Sequence, residues 1–178
     1  MIKICISGLA SSGKTTLGGI LAERLNISHI KESYKNSAND DEEVISLLKE
    51  LTAKNDKKFA EVFDNKVRAL ADQGNCVVTT WLGPWIIKDA TVRVWLNASV
   101  EERARRRAKK NNTEYASTLG FIRDYDRLTI NHFKNVYGID VTERGIFDLE
   151  LNTEKLNINE IVEIISIIAL SRENSKFL

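Results

Sequence analysis

Apolar residues along this chain alternate between short continuous runs and stretches with a helical period. Ile2 to Ser7 is a short apolar run that ends at Gly8, and from Thr15 onwards Leu17, Ile20, Leu21 and Leu25 fall close to helical spacing. Strand, glycine loop and helix therefore follow one another. Ser28 to Asn39 is polar and has no clear period, after which Asp40 to Thr52 puts Val44, Leu47, Leu48 and Leu51 on one helical face. A further helix carries Phe59, Val62, Phe63, Val67 and Leu70, with Asp56 as its N-cap and Gly74 where a left-handed residue would stop it. Cys76 to Thr80 reads as a buried strand, and Thr91 to Asn97 as another, rich in β-branched and aromatic side chains. Between them, Pro84 after Gly83 marks a turn or a first helical position.

Ser99 with Glu102 forms a candidate capping box for a helix from Val100 to Lys110, and Asn111-Asn112-Thr113 breaks it before another helical region that runs to about Val136. Phe147 to Leu151 is a last short strand. Asn157 with Glu160 caps a closing helix that carries Ile161, Ile164, Ile165 and Ile168. Alternating strands and helices predict an α/β fold, a mainly parallel sheet covered on both faces, with ligands at the carboxyl ends of its strands. With no repeat, low-complexity tract or linker, the expectation is one domain over residues 1–178.

Charge narrows the function classes. The 26 basic and 25 acidic side chains leave a net charge of +1, so no global field recruits nucleic acid or an anionic membrane, and any basic site must be local. That local charge lies in Arg103, Arg105, Arg106, Arg107, Lys109 and Lys110. Ser7 and Gly8 interrupt the first apolar run too early for a signal-peptide core, and the stretch from Ile161 to Leu170 falls short of the roughly 20 residues a membrane span needs. A cytoplasmic protein is expected, with Cys5 and Cys76 as buried free thiols. His29 and His132 have no metal spacing or nucleophile partner and read as packing or surface residues.

The chemistry is carried by Gly8-Leu9-Ala10-Ser11-Ser12-Gly13-Lys14-Thr15, a complete phosphate-loop pattern between a strand and a helix. Glycines permit the turn and a close backbone approach, successive amides and the helix N-terminus face the phosphates, Lys14 reaches the outer phosphates, and the Thr15 hydroxyl can ligate Mg2+. ATP and Mg2+ are the expected cofactors, bound by Gly8 through Thr16. No guanine-reading segment is apparent, and phosphoryl transfer between two anionic nucleotides needs several cations and exclusion of water, which a basic flap supplies.

The sequence resembles the archaeal-type cytidylate kinases, within the P-loop nucleoside monophosphate kinases. Beyond the loop, the resemblance rests on Asp64 with Ala71-Asp-Gln-Gly-Asn75, on Trp85, on Val94-Trp-Leu-Asn-Ala98 leading to Glu101, Arg103 and Arg106, on Arg123, on Tyr137-Gly138-Ile139-Asp140, and on Phe147-Asp148-Leu149 with Asn152-Thr153. It implies a three-layer P-loop NTPase fold, an acceptor-binding insertion over about 31–73, and a helical lid over about 99–127. The implied reaction moves the γ-phosphoryl group of ATP to CMP, dCMP or UMP, in a monomer or homodimer with small-molecule nucleotide partners and no nucleic acid or membrane.

Lys14, Arg103, Arg106 and Arg123 would then neutralise the transferring phosphoryl group, and Lys35, Asp64 and Trp81 would face the acceptor. Lys110 stands where an arginine is usual in the family, and Arg127 lies nearby without a match. The family's acidic residue and acceptor-clamping arginine after the third strand are replaced by Thr79-Thr80-Trp81, and Lys35 substitutes for an arginine in a shortened acceptor segment. Trp81 and Trp85 make either a stacking wall or, as favoured, core aromatics. Two other readings stay open: a P-loop kinase for another small acceptor such as AMP, and a regulatory or RNA-associated ATPase that uses the basic helix as a contact surface.

Overall fold

In the computed structural model, which describes residues 1–32, 41–55 and 57–175, the strand that precedes the phosphate loop lies at the centre of the sheet. β1 (Lys3–Gly8) pairs in parallel with β3 (Cys76–Val78) on one edge and β4 (Val92–Asn97) on the other. β2 (Ser28–Ile30) extends the sheet beyond β3, and β5 (Leu149–Asn152) extends it beyond β4, both parallel, giving the order β2-β3-β1-β4-β5. The α/β expectation is met in a five-stranded all-parallel sheet.

Strand alternation divides the core into two layers. Ile4 and Ile6 point to one face, where α1 (Lys14–Leu25) and α7 (Ile158–Asn174) bring Leu17, Leu21, Ile161 and Ile165. Cys5 points to the other, against residues of α2 (Asp41–Lys54), α3 (Lys57–Ala71) and α6 (Tyr115–Tyr137), including Leu48, Val67 and Phe133. Both cysteines are free and buried; burial pushes the Cys76 thiol up to about 11 and Cys5 higher still, so both stay protonated at neutral pH. α4 (Gly83–Ile86) is a single turn with Pro84 in its first positions, and α5 (Val100–Asn111) packs on α6 as a helical hairpin.

Local expectations hold to different degrees. The Asn157–Glu160 capping box is complete in both directions. At Ser99 only half of it forms: the hydroxyl accepts the Glu102 amide, while the Glu102 carboxylate turns to Arg105 and Arg106, and Glu154 accepts the Ser99 amide. Asn112 ends α5 in the left-handed conformation, as its position in the break implies. Gly74 does not: α3 stops at Ala71, and Gly74 lies in the following turn without a positive φ. The sequence reading also passed over β2, a three-residue edge strand too short to show a period. Ile20 and Val62 fit the helical spacing yet are exposed. The Asp56 cap lies outside the described residues.

Gly18 of α1 is where the helix comes closest to the sheet. A Cβ there would meet Thr79 Cγ2 at 2.3 Å and His29 Nε2 at 2.7 Å. Thr79 is buried, with its amide and hydroxyl tied to the Ile30 carbonyl and its hydroxyl 2.9 Å from His29 Nε2, so it has little room to yield. Gly18→Ala should therefore destabilise the protein by up to about 2 kcal/mol net, an overpacking cost of about 1–3 kcal/mol outweighing alanine's helix propensity of about 1 kcal/mol, read as a lower urea midpoint at unchanged slope.

Candidate active site

β1 ends in a loop whose backbone is forced into unusual conformations. Gly8 has φ 151°, and a Cβ there would lie 2.6 Å from the Leu96 carbonyl oxygen on β4, so no larger residue fits against that strand. Ser11 and Gly13 follow at φ 60° and 99°, and the chain enters α1 directly at Lys14. A left-handed serine is uncommon and is held by its surroundings rather than by its own preference. Together these turns wrap the loop around the N-terminus of α1, where the helix dipole and unpaired amides favour an anion.

Lys14 folds back over the loop. Its ammonium donates to the carbonyls of Gly8 at 2.6 Å and Leu9 at 2.9 Å, and lies 5.1 Å from the centre of the Trp81 ring. Thr15 is exposed beside it. A hydroxyl is a hard oxygen donor of the kind Mg2+ accepts, and Mg2+ completes its shell with phosphate oxygens and water, so these residues fit Mg-ATP. Thr79 and Thr80, at the end of β3, offer no carboxylate, and the described residues contain no cluster of three His, Cys, Asp or Glu side chains able to hold a metal by themselves.

Two clefts open from the loop on the α5 side. One is lined by Ser11 to Thr16 with Arg106, Arg107, Lys110 and Asn111, so one face of α5 turns three cations toward the phosphate loop. The other runs between Thr16 and Leu17 on one wall and Arg106, Thr153, Leu156 and Ile158 on the other. Arg106 borders both: it donates to the Thr153 hydroxyl and carbonyl and pairs with Glu102. Sequence reasoning did not single out Arg107; its spacing of four residues from Arg103 puts it on the same helix face and could have done so.

A third cavity opens on the opposite side of Lys14 and Thr15. Its inner wall is Thr79, Thr80 and Trp81, its floor includes Tyr125, Thr129 and Phe133 of α6, and Asp64 of α3 lies at its edge. Trp81 is partly buried and packs on Tyr125 and Phe133 against the core, as favoured from sequence, while also walling the cavity. Its main chain is fixed by the Ser7 hydroxyl, which donates to the Trp81 carbonyl at 2.8 Å. Trp85 packs on Phe147 away from that cavity, in keeping with a structural role. Asp64 is buried, and desolvation raises its carboxyl to about 6, with the Tyr137 hydroxyl 3.4 Å away. Lys35 lies outside the described residues.

The two remaining arginines do not reach the loop's open side. Arg103 is 3% exposed and fully engaged, donating to Asp126 at 2.6 Å, to the Ala10 carbonyl at 2.9 Å and to the Ala98 carbonyl at 3.2 Å. Arg123 is exposed and pairs with Glu101 on the far side of the hairpin, beside Arg127 and not beside Lys14. Both histidines bond threonines, His29 to Thr79 and His132 to Thr52, each at 2.9 Å.

A phosphate loop at the centre of a parallel sheet, flanked by a cationic helix on one side and an aromatic-walled cavity on the other, defines a P-loop kinase. The chain belongs to the cytidylate kinase-like family, whose profile matches residues 3–155. It is 34% identical to the cytidylate kinase of Sulfurisphaera tokodaii over 91% of this chain and 92% of that one, and 31% identical to that of Pyrobaculum calidifontis over 100% and 98%. Among solved structures it is similar in fold to an uncharacterized protein from Eubacterium ventriosum (TM-score 0.73, 16% identity, 96% and 99% covered) and to deoxyadenosine kinase from M. mycoides with bound dATP (TM-score 0.60, 16% identity, 94% and 99% covered). No helix among the described residues is long and apolar enough to cross a membrane.

Burial makes two groups respond oppositely to acid. His132, held neutral in the fold down to about pH 4, takes up a proton near 6.5 when unfolded, so its contribution falls as pH drops through that window. Asp64 keeps its proton in the fold up to about pH 6 but releases it near 3.8 when unfolded, so its contribution falls as pH rises from about 4 to 6. The two partly cancel in the native chain. Between pH 6.5 and 4.5, Asp64→Asn should steepen the acid loss of the urea midpoint relative to wild type, whereas His132→Gln should reverse or flatten it.

Proposed function

We propose that the protein transfers the γ-phosphoryl group of ATP to CMP or dCMP, with Mg2+ bound by the nucleotide phosphates and the Thr15 hydroxyl. The observation that carries this reading is the placement of Lys14 between two spaces: the cationic clefts on the α5 side and the aromatic-walled cavity bounded by Asp64 and Trp81. Family membership and the cytidylate kinases it resembles over most of its length supply the acceptor.

In this scheme the amides of the loop and the N-terminus of α1 cradle the β- and γ-phosphates. Lys14 leaves the Gly8 and Leu9 carbonyls to bridge the outer phosphates and stays with the γ-group as charge moves onto it. Arg106, Arg107 and Lys110 add positive charge from α5, and Arg106 with Thr153 borders the space for the adenine. The Thr15 hydroxyl would hold Mg2+, which would supply charge neutralisation on the phosphates. The pyrimidine acceptor enters the opposite cavity, its base against Trp81 and its amino group toward the Asp64 carboxylate, which accepts hydrogen bonds once ionised. Little covalent chemistry is asked of the protein; alignment and electrostatics do the catalysis. In this scheme the acceptor insertion spans about 31–73 and the lid about 99–127, that is α5 with the first half of α6.

Incubation with Mg-ATP and, separately, CMP, dCMP, UMP, AMP, GMP or no acceptor, with the products resolved, tests the assignment. CDP or dCDP is the expected product; equal ADP release with and without every acceptor would overturn it. Lys14→Ala should lower kcat roughly 10²- to 10³-fold. Arg106→Ala should raise the KM for ATP about tenfold while leaving that for CMP within twofold, as expected for loss of one charge-assisted contact on the donor side.

A further inference from the structure

The side of the phosphate loop turned away from the substrates is gripped by two buried charged residues whose work is not explained by contact with a nucleotide. Ala10 is the third residue of the loop, and both of its main-chain groups are bound by side chains from the hairpin. Its amide donates to Asp126 Oδ1 on α6 at 3.0 Å, and its carbonyl accepts from Arg103 NH1 on α5 at 2.9 Å. The same Arg103 NH1 donates to Asp126 Oδ2 at 2.6 Å, and Arg103 Nε donates to the Ala98 carbonyl at the end of β4. Asp126 is 7% exposed and Arg103 3%.

From this closed ring we infer that Asp126 and Arg103 are positioning residues of the phosphate loop: they hold the Ala10 peptide so that Ser11 takes its left-handed turn, and they set the cationic face of α5 in register with that turn. The inference rests on the phosphotransferase reading for its rate prediction, though not for its binding prediction. Two geometric facts carry it. Ser11 at φ 60° follows Ala10 directly, and rotation of the peptide joining them would carry the Ala10 carbonyl away from Arg103. Arg103, Arg106, Arg107 and Lys110 are spaced three, four and seven residues apart on α5, a single helical stripe about 10 Å long. Its first member is anchored behind the loop, and the other three line the front of it. One helix thus spans both sides of the loop, and the Arg103–Asp126 ring fixes where along the stripe the phosphates meet it.

A buried ion pair also stabilises against loss of either partner, so the test must separate position from stability. Three variants are read by melting temperature, by Mg-ATP affinity in calorimetry, and by turnover with CMP. Asp126→Asn keeps an acceptor for the Ala10 amide but leaves Arg103 without its counter-charge; the expected result is a lower melting temperature, at least tenfold weaker Mg-ATP binding and at least tenfold lower kcat, with the KM for CMP within twofold. The double variant Arg103→Met with Asp126→Leu replaces the pair by apolar side chains of similar volume. It should recover much of the lost melting temperature while Mg-ATP affinity and kcat stay at least tenfold below wild type, because nothing then holds the Ala10 amide and carbonyl.

Recovery of affinity and turnover together with stability would show a purely structural pair and overturn the inference, as would an Asp126→Asn protein altered in melting temperature alone. Should the double variant not fold, Arg103→Lys decides by the same readouts: it keeps a charge for Asp126 but cannot reach the Ala10 and Ala98 carbonyls as well, so tenfold weaker Mg-ATP binding is expected and wild-type binding overturns the inference. If wild type makes no CDP, the acceptor reading fails, while the Mg-ATP affinities still judge the role of Asp126 and Arg103.

Discussion

The approach of the Gly8 backbone to β4 is the constraint on which the rest of the site depends. β1 is buried from Lys3 to Gly8, paired with β3 over its first half and with β4 through to Gly8, so its end is held against β4. At that point the chain must turn without a side chain, because the Leu96 carbonyl occupies the place of a Cβ. The turn delivers the amides of the loop to the head of α1, and strand order then divides the surroundings. β3 and its tail Thr79–Trp81 flank one side; β4, which leads into Ser99 and α5, flanks the other. Two spaces that share Lys14 follow from one central strand.

The two spaces differ in chemistry for reasons visible in their walls. On the α5 side, Arg106 and Arg107 in half-buried positions and the exposed Lys110 supply positive charge, whose mutual repulsion solvent and salt screen. On the other side the wall is aromatic and hydroxyl-bearing, and Asp64 sits where burial disfavours its charge. The Trp81 ring meets the Lys14 ammonium from this side, 5.1 Å from its centre. Lys14 is therefore the cation common to both spaces, and the cavity on the β3 side also carries Lys31, Glu32 and Asp64 on its lining.

The hairpin of α5 and α6 serves two ends at once. Its inner face carries the buried ring of Arg103 and Asp126, and its outer half carries the cations that line the clefts. Charge count in the sequence could not separate these duties. Six basic residues between Arg103 and Lys110 look equivalent in a row, yet Arg105 is exposed and bonded to Glu102, Arg103 is sealed under the loop, and Arg106 bridges to Thr153.

What the sequence by itself determined was local or periodic: the alternation of strands and helices, the phosphate loop with its flanking elements, the Asn157–Glu160 cap, and the stop at Asn112. Each is specified by residues close in sequence, although the Ser99 box shows that a distant carboxylate, Glu154, can displace half of such a motif. Tertiary structure alone decided the order of the strands, the existence of β2 as an edge completed by β3, the place of Trp81 on a cavity wall, and the directions of Arg103 and Arg123. Those outcomes rest on contacts across the chain, Ala10 to Arg103 over 93 residues and Ala10 to Asp126 over 116, and a side chain's destination over such a span is set by packing and by the need to pair a buried charge.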